Sequence, residues 1–348
     1  MAWAVRGLYP GVETVSCNSG APRSRTSTMA HPGIGVGTWA WGNQVLWGYE
    51  PAADGVLEAT FRQAAASGLG LFDTADSYGT GRYNGRSEML LGRFALALPP
   101  QERAGLCLAT KLAPFPWRLG RQGFNRAVAA SEQRLGGRID RVQLHWSTSR
   151  YAPWQELPLL DGLADQVSSG RIAELGLSNV GPRRLRWLHA YLHSRGVRIC
   201  SLQVQLSLLC REPLRPGGVA EVCRELGIEL IAYSPLALGL LARRDPLVDR
   251  PASGPRRWLF GRLGPGLKPL LALMAEVAQG RQAPLAAVAL NWCRAHGAMP
   301  IPGLRRPDQV AVAAAALRWQ LSPEERQALD QTAAAVPGGM PANPFQSA

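Results

Sequence analysis

Leu69-Gly70-Leu71-Phe72-Asp73-Thr74-Ala75-Asp76-Ser77-Tyr78-Gly79 is a short apolar run that stops at a carboxylate and passes into turn residues carrying a second carboxylate and a phenol. So brief a run, bounded by turn chemistry, predicts a buried strand rather than a helix. The same pattern recurs downstream. Leu106-Cys107-Leu108-Ala109-Thr110 closes on Lys111, and Arg141-Val142-Gln143-Leu144 closes on His145. Three successive strand ends therefore offer Asp/Tyr, Lys and His.

Working outward, eight such runs are predicted as strands: 34–39, 69–73, 106–111, 139–145, 173–178, 199–205, 228–233 and 298–301. Helical patterns lie between them at 52–66, 87–97, 123–135, 154–169, 182–193, 219–226, 267–294 (in two pieces split near Gly280) and 307–317. Alternating strand and helix implies an α/β fold with a parallel sheet. Eight repeats in one domain-sized chain favour closure into a single-domain (β/α)8 TIM barrel. No Gly-rich turn opens a helix after the first strand, which argues against an open dinucleotide-binding sheet. In a closed barrel the carboxyl ends of the strands converge on one mouth, so Asp73, Lys111 and His145 become neighbours. The Pro-, Gly- and Arg-rich segment from Leu241 to Pro265 is expected to be a lid over that mouth.

Composition bounds the rest. The chain has 348 residues, 46% of them hydrophobic, enough to bury one large core. No apolar stretch approaches the roughly 18 to 20 residues of a membrane span, so a soluble protein without a membrane partner is expected. Six cysteines show neither paired metal-ligand spacing nor scaffold density, which predicts a reducing compartment. The formal charge of +13 comes from arginines scattered along the chain, with no nucleic-acid motif among them. No metal site is expected: His189 and His193 stand one helical turn apart but have no third ligand. Residues 1–30, with Arg6, Arg23, Arg25 and a single acid, Glu13, form an N-terminal extension that reads as a leader or disordered segment. The barrel is expected over 31–338 and a tail over 339–348. The location follows as cytoplasmic, or the plastid stroma if the extension is a transit peptide.

Lys111 and Lys268 are the chain's two lysines against a background of arginine. An ammonium is a compact charge whose acidity burial can tune, whereas a guanidinium keeps its proton, so a proton-handling site selects lysine. Beside such a cation the Tyr78 phenol is expected to be acidified, with Asp73 holding the lysine and a neutral His145 polarising the same substrate oxygen. Such a quartet moves protons and supplies neither hydride nor metal.

The stretches Gly35-Val36-Gly37-Thr38-Trp39, Phe72 to Gly79, Arg86-Ser87-Glu88-Met89-Leu90-Leu91-Gly92 and Thr110-Lys111 resemble the aldo-keto reductase superfamily. Gly176-Leu177-Ser178-Asn179, Ala232-Tyr233-Ser234-Pro235-Leu236 and Pro300-Ile301-Pro302-Gly303 follow in the family's order, and Gly37 to Asn43 with His145 to Thr148 are similar to its cyanobacterial and plastid branch. The resemblance implies a barrel that binds NADPH (NADP+) without a separate nucleotide domain and reduces an aldehyde or ketone. It implies a catalytic tetrad of Asp73, Tyr78, Lys111 and His145, with Tyr78 as general acid. It also implies that Ser178, Asn179 and Gln203 hold the nicotinamide carboxamide and that Tyr233 stacks on its ring. Ser234, Pro235, Leu236, Gly239 and Leu240 would pass the pyrophosphate. Thr38, Trp39 and Asp73 would meet the cofactor at the first strands, and Gly303, Arg305 and Gln309 would surround the adenosine, with Arg305 on the 2′-phosphate. Two departures stand out: Ala313 where the family commonly has asparagine, and Leu206 where many relatives carry an aromatic.

Two rival functions remain at this level. A Schiff-base aldolase would use the barrel lysine as a nucleophile. A cofactor-bound redox sensor would keep the barrel but turn over slowly. The partner expected is a small-molecule carbonyl; pyridoxal-type aldehydes lie within the range the resemblance admits, and no residue selects among them. Trp39, Trp41, Trp117 and Trp146 suggest a wide aromatic pocket. Oligomeric state is not decided by the sequence.

Overall fold

A computed structural model describes residues 33–251, 253–341 and 343–347; the leader expected over residues 1–30 lies outside the described residues. Eight strands form one parallel sheet in chain order: β1 Val36–Gly37, β2 Leu71–Asp73, β3 Cys107–Leu112, β4 Arg141–Leu144, β5 Glu174–Ser178, β6 Ile199–Gln205, β7 Glu229–Tyr233 and β8 Ala298–Ile301. The sheet closes on itself. Gly35 N donates to Pro300 O at 3.0 Å, Gly37 N donates to Pro302 O at 2.9 Å, and Gly37 bridges Gly303 in parallel. With no free edge, every strand is flanked on both sides, and the helices cover the outside.

The apolar runs are continuous because both faces of each strand are buried. Outside the barrel, Phe61 of the helix Asp54–Ala66 meets Phe72 of β2 with ring centroids 4.7 Å apart, and Phe94 of the helix Arg86–Leu96 at 5.9 Å. These rings are fully buried, and each contributes about 1.5–3 kcal/mol by leaving water. Inside the barrel the upper layer is polar. Lys111 pairs with Gln143, Gln143 with Gly176, and Gly176 with Ser201 in the strand register. Gly176 leaves room for that layer: a Cβ there would lie 2.6 Å from Ser201 Oγ and 2.9 Å from Gln143 Cγ.

All eight expected strands are present, and the differences are local. β1 is shorter than 34–39 because the chain turns at Thr38, whose carbonyl accepts from Trp41 N at 2.8 Å. Trp41 is fully buried, with Nε1 donating to Leu304 O, so it belongs to the core and not to the pocket expected of it. The expected lid contains a helix, Gly254–Leu263, docked through buried Leu259, Phe260 and Leu263. Three further helices were not expected: Gln44–Trp47, Pro100–Ala104 and Pro323–Ala334. The last had a legible signal, since Ser322 accepts from Glu325 N, Glu325 caps back to Ser322 N, and Pro323 begins the first turn.

Candidate active site

Asp73 is the last residue of β2 and points into the barrel, where its carboxylate is fully engaged. Oδ2 accepts from Lys111 Nζ at 2.6 Å, while Oδ1 accepts from Gln203 Nε2 at 2.8 Å and Gln143 Nε2 at 3.1 Å. Lys111, one residue from the end of β3, also donates to Thr74 O at 2.7 Å. Both charges are sealed from solvent. Burial pulls the lysine below its ordinary pKa, and Asp73 opposes that pull.

Tyr78 stands at the mouth on the turn after β2. Its backbone is pinned by Tyr78 N to Ala75 O and Gly85 N to Tyr78 O, and Gly79 follows at φ +113°. Only glycine fits there, because a Cβ would lie 1.8 Å from Tyr83 O. Asp76 of the same turn is buried and held by Arg118 NH1 at 2.5 Å. Lys111 Nζ lies 4.8 Å from the centre of the Tyr78 ring, beneath its face. That arrangement corrects one expectation: the phenol is not acidified. Burial first, then Asp73 and Asp76, push its pKa well above 10.0, so Tyr78 stays a protonated phenol.

His145 follows β4 and faces Tyr78, with ring centroids 5.8 Å apart at 70°. Burial and the Lys111 charge hold it well below the ordinary imidazole pKa, so the ring is neutral. Nδ1 is buried with no partner. A proton on Nε2 avoids burying an unpaired donor at Nδ1, and it equips the ring with one N–H.

The residues expected to hold a cofactor fall into three groups. At the mouth, Asn179 has a left-handed backbone, φ 58°, and its Nδ2 donates to His145 O and Ser178 Oγ, both at 3.1 Å. Its Oδ1 accepts from Tyr233 Oη at 3.0 Å. Gln203 faces inward and braces the Asp73 carboxylate, and buried Thr38 donates to the Asp73 main-chain carbonyl at 2.9 Å, so the two hold the side chain and the backbone of the same residue. Half-buried Trp39 meets Trp47 edge-on at 6.3 Å. In the second group, Ser234, Ala237, Leu238 and Gly239 carry positive φ after β7, which turns the loop sharply, while Pro235 and Leu240 are buried beside half-buried Leu236. In the third group, exposed Gly303 precedes Arg305, whose N–H donates to Gln309 Oε1 at 2.7 Å.

Sequence reasoning missed Trp47 and Arg256, which join the last two groups. The guanidinium of Arg256 stacks on the Trp47 ring at 4.1 Å and that of Arg305 at 5.0 Å. Arg305 also donates to Trp47 O, and Arg256 to Leu238 O. Neither arginine, nor neighbouring Arg243, pairs with a carboxylate among the described residues. Burial, Arg305 and Arg243 bring Arg256 down to about 10, and burial with Arg306 and Arg243 lowers Arg305. Cations gathered without counter-charge beside a sharply turned loop fit a phosphate-bearing ligand. Gln143 was also missed, although it lies two residues before His145 on the same inward face.

The aromatic side of the mouth is Phe115 stacked on Trp117 at 4.7 Å, with Phe115 edge-on to Trp146 at 6.2 Å. His189 and His193 lie on the outer helix Pro182–His193, and no group of three metal-ligating side chains occurs among the described residues. No helix among the described residues is long and apolar enough to cross a membrane.

A model of the Aldo/keto reductase family matches residues 33–334. Pyridoxal reductase, chloroplastic, of Arabidopsis thaliana is 45% identical over 326 residues, covering 90% of this chain and 86% of that protein. The 6-dehydroglucose reductase of Novosphingobium aromaticivorans is 30% identical over 306 residues, covering 84% and 90%. Among solved structures, an aldo/keto reductase from Klebsiella pneumoniae in complex with NADP and acetate superposes with a TM-score of 0.67 at 26% identity, covering 90% of this chain and 94% of that one.

Proposed function

The chain belongs to the aldo/keto reductase family, and we propose that it is an NADPH-dependent reductase of planar aromatic aldehydes, of which pyridoxal is the type, with Tyr78 as the general acid. The observation that carries this reading is the position of Tyr78: a phenol kept protonated by burial, above the Lys111 ammonium and facing a neutral His145.

NADPH, when bound, supplies the hydride. Asn179, Ser178 and Tyr233 would hold its nicotinamide end, and Arg256 and Arg305 its phosphates. The chain's own part is to orient the carbonyl and deliver a proton. His145 Nε2–H and Tyr78 Oη–H donate to the carbonyl oxygen, so negative charge developing there meets two donors. Tyr78 then gives up its proton, and the phenolate that forms is stabilised by the ammonium beneath it. Asp73, held by two glutamine amides, keeps that ammonium charged and fixed. Lys111 has its amine committed to Asp73 and Thr74 O, which disfavours its use as a Schiff-base nucleophile.

The 45% identical pyridoxal reductase supports the substrate class, and so do the flat rings of Phe115, Trp117 and Trp146 beside His145. The basic, acid-poor first 30 residues, together with that relative's chloroplastic name, support reading them as a plastid transit segment.

The test is a panel of aromatic and aliphatic aldehydes at saturating NADPH, run with the native chain and with Tyr78→Phe. Aromatic aldehydes are expected to be preferred, and the variant is expected to lose about 10²- to 10⁴-fold in turnover with NADPH binding retained. Equal turnover by the variant would remove the assigned acid, and no oxidation of NADPH with any aldehyde would remove the enzyme reading in favour of a cofactor-bound sensor.

A further inference from the structure

The mouth of the barrel is covered by the chain's own C-terminal segment. Asn343 Nδ2 donates to Tyr233 Oη at 2.7 Å and to Asn179 Oδ1 at 2.9 Å. Asn343 Oδ1 accepts from Phe345 N at 2.9 Å, a local turn that lays the Phe345 ring on Trp146 with centroids 4.5 Å apart and planes 24° from parallel. Beyond it, Ser347 is buried: its N–H donates to Asn179 O, and its Oγ accepts from Gly181 N, both at 3.1 Å. Arg150 NH1 reaches Gln346 O at 3.3 Å.

The chemistry of these contacts matches that of the ligands proposed above. Asn343 presents a primary carboxamide to Asn179, assigned to the nicotinamide carboxamide, and to Tyr233, assigned to the nicotinamide ring. Asn179 Oδ1 already accepts from both Tyr233 and Asn343, which uses both of its lone pairs. A second carboxamide can bond there only after Asn343 leaves. Phe345 likewise covers the Trp146 face that a planar aldehyde would use, next to His145.

From this we infer that residues 343–347 are an intramolecular competitor: Asn343 stands in for the nicotinamide carboxamide, Phe345 stands in for the aromatic substrate, and NADPH binding expels the segment. The inference rests on the functional reading above. It makes the apparent affinity for NADPH the intrinsic affinity multiplied by the fraction of chains whose tail is open. Two hydrogen bonds, a ring stack and the Ser347 contacts keep that fraction small.

The test uses the full chain and its variant Asn343→Ala/Phe345→Ala, with NADPH binding followed by tryptophan fluorescence and the Ser347 amide followed by hydrogen exchange in the native protein. The expected results are at least about tenfold tighter NADPH binding by the variant and faster exchange at Ser347 when NADPH is added. Unchanged or weaker binding by the variant overturns the inference. So does Ser347 exchange that slows on loading, which would make the tail a wall of the loaded site, and this second readout does not depend on the variant folding. Failure of both chains to bind NADPH would overturn the functional reading itself, and the competition with it.

Discussion

Lys111 Nζ lies 2.6 Å from Asp73 Oδ2, and the two side chains are 1% and 3% exposed. Such a pair is costly to assemble and more costly to break, because removing one partner leaves the other charge in a low-dielectric interior. Here the carboxylate also accepts from Gln143 and Gln203, so its loss would remove two amide hydrogen bonds as well.

Asp73→Ala is therefore expected to destabilise the fold by about 3–5 kcal/mol. Urea unfolding of the two proteins measures this directly. A loss below about 1 kcal/mol, the range of an exposed ion pair, would show that the pair is not buried as described.

The neutral His145 predicts a pH dependence of stability. Its folded pKa is depressed below 6.5, so the unfolded chain binds more protons, and stability is fully present above that value and is lost as pH falls toward the folded pKa. The slope contributed by this one group approaches about 1.4 kcal/mol per pH unit in that window. His145→Asn should flatten the profile below pH about 6.5; thermal melts at stepped pH would refute the assignment if native and variant slopes coincide.

Arg305 and Arg256 should separate by their phosphates. Losing a charge-assisted hydrogen bond is worth about 1.5–3 kcal/mol, so Arg305→Ala is expected to weaken NADPH about 10- to 100-fold while leaving NADH much closer to native. Arg256, tied to the Leu238 carbonyl of the turned loop, should affect both cofactors alike when changed to alanine. Calorimetric titration with the two nucleotides decides it, and equal losses for Arg305→Ala would remove the 2′-phosphate role.

Gly79→Ala tests how tightly the phenol must be placed. The new Cβ would fall 1.8 Å from Tyr83 O, and the turn carrying Tyr78 must move to relieve the clash. A displacement near 1 Å costs on the order of 10²-fold in turnover. Gly81→Ala, in the same turn, meets nothing within 4 Å and bears only the left-handed backbone strain of about 1–2 kcal/mol. Near-native turnover in Gly79→Ala, measured beside Gly81→Ala, would contradict the description of this turn.

The strands were legible because each is a brief apolar run alternating with a helical pattern, and Asp73, Lys111 and His145 could be read as neighbours because three successive runs close on them. The helix Gly254–Leu263 was hidden in a segment of Pro, Gly and Arg, where composition signals a loop and only docking through Leu259, Phe260 and Leu263 makes a helix worthwhile. Trp41 and Trp146 look alike in the sequence, yet one is core and the other stands beside His145.

The order of strands and helices, the closed barrel and the chemical types gathered at its mouth were determined by the sequence, because periodicity and turn residues act locally. Only the tertiary structure decided the direction of the Tyr78 pKa shift, the gathering of the Arg256 and Arg305 guanidiniums on the Trp47 ring and the seat of Asn343 against Asn179. Each depends on distances between residues far apart in the chain, and desolvation and charge act through those distances, whatever the spacing along the polypeptide.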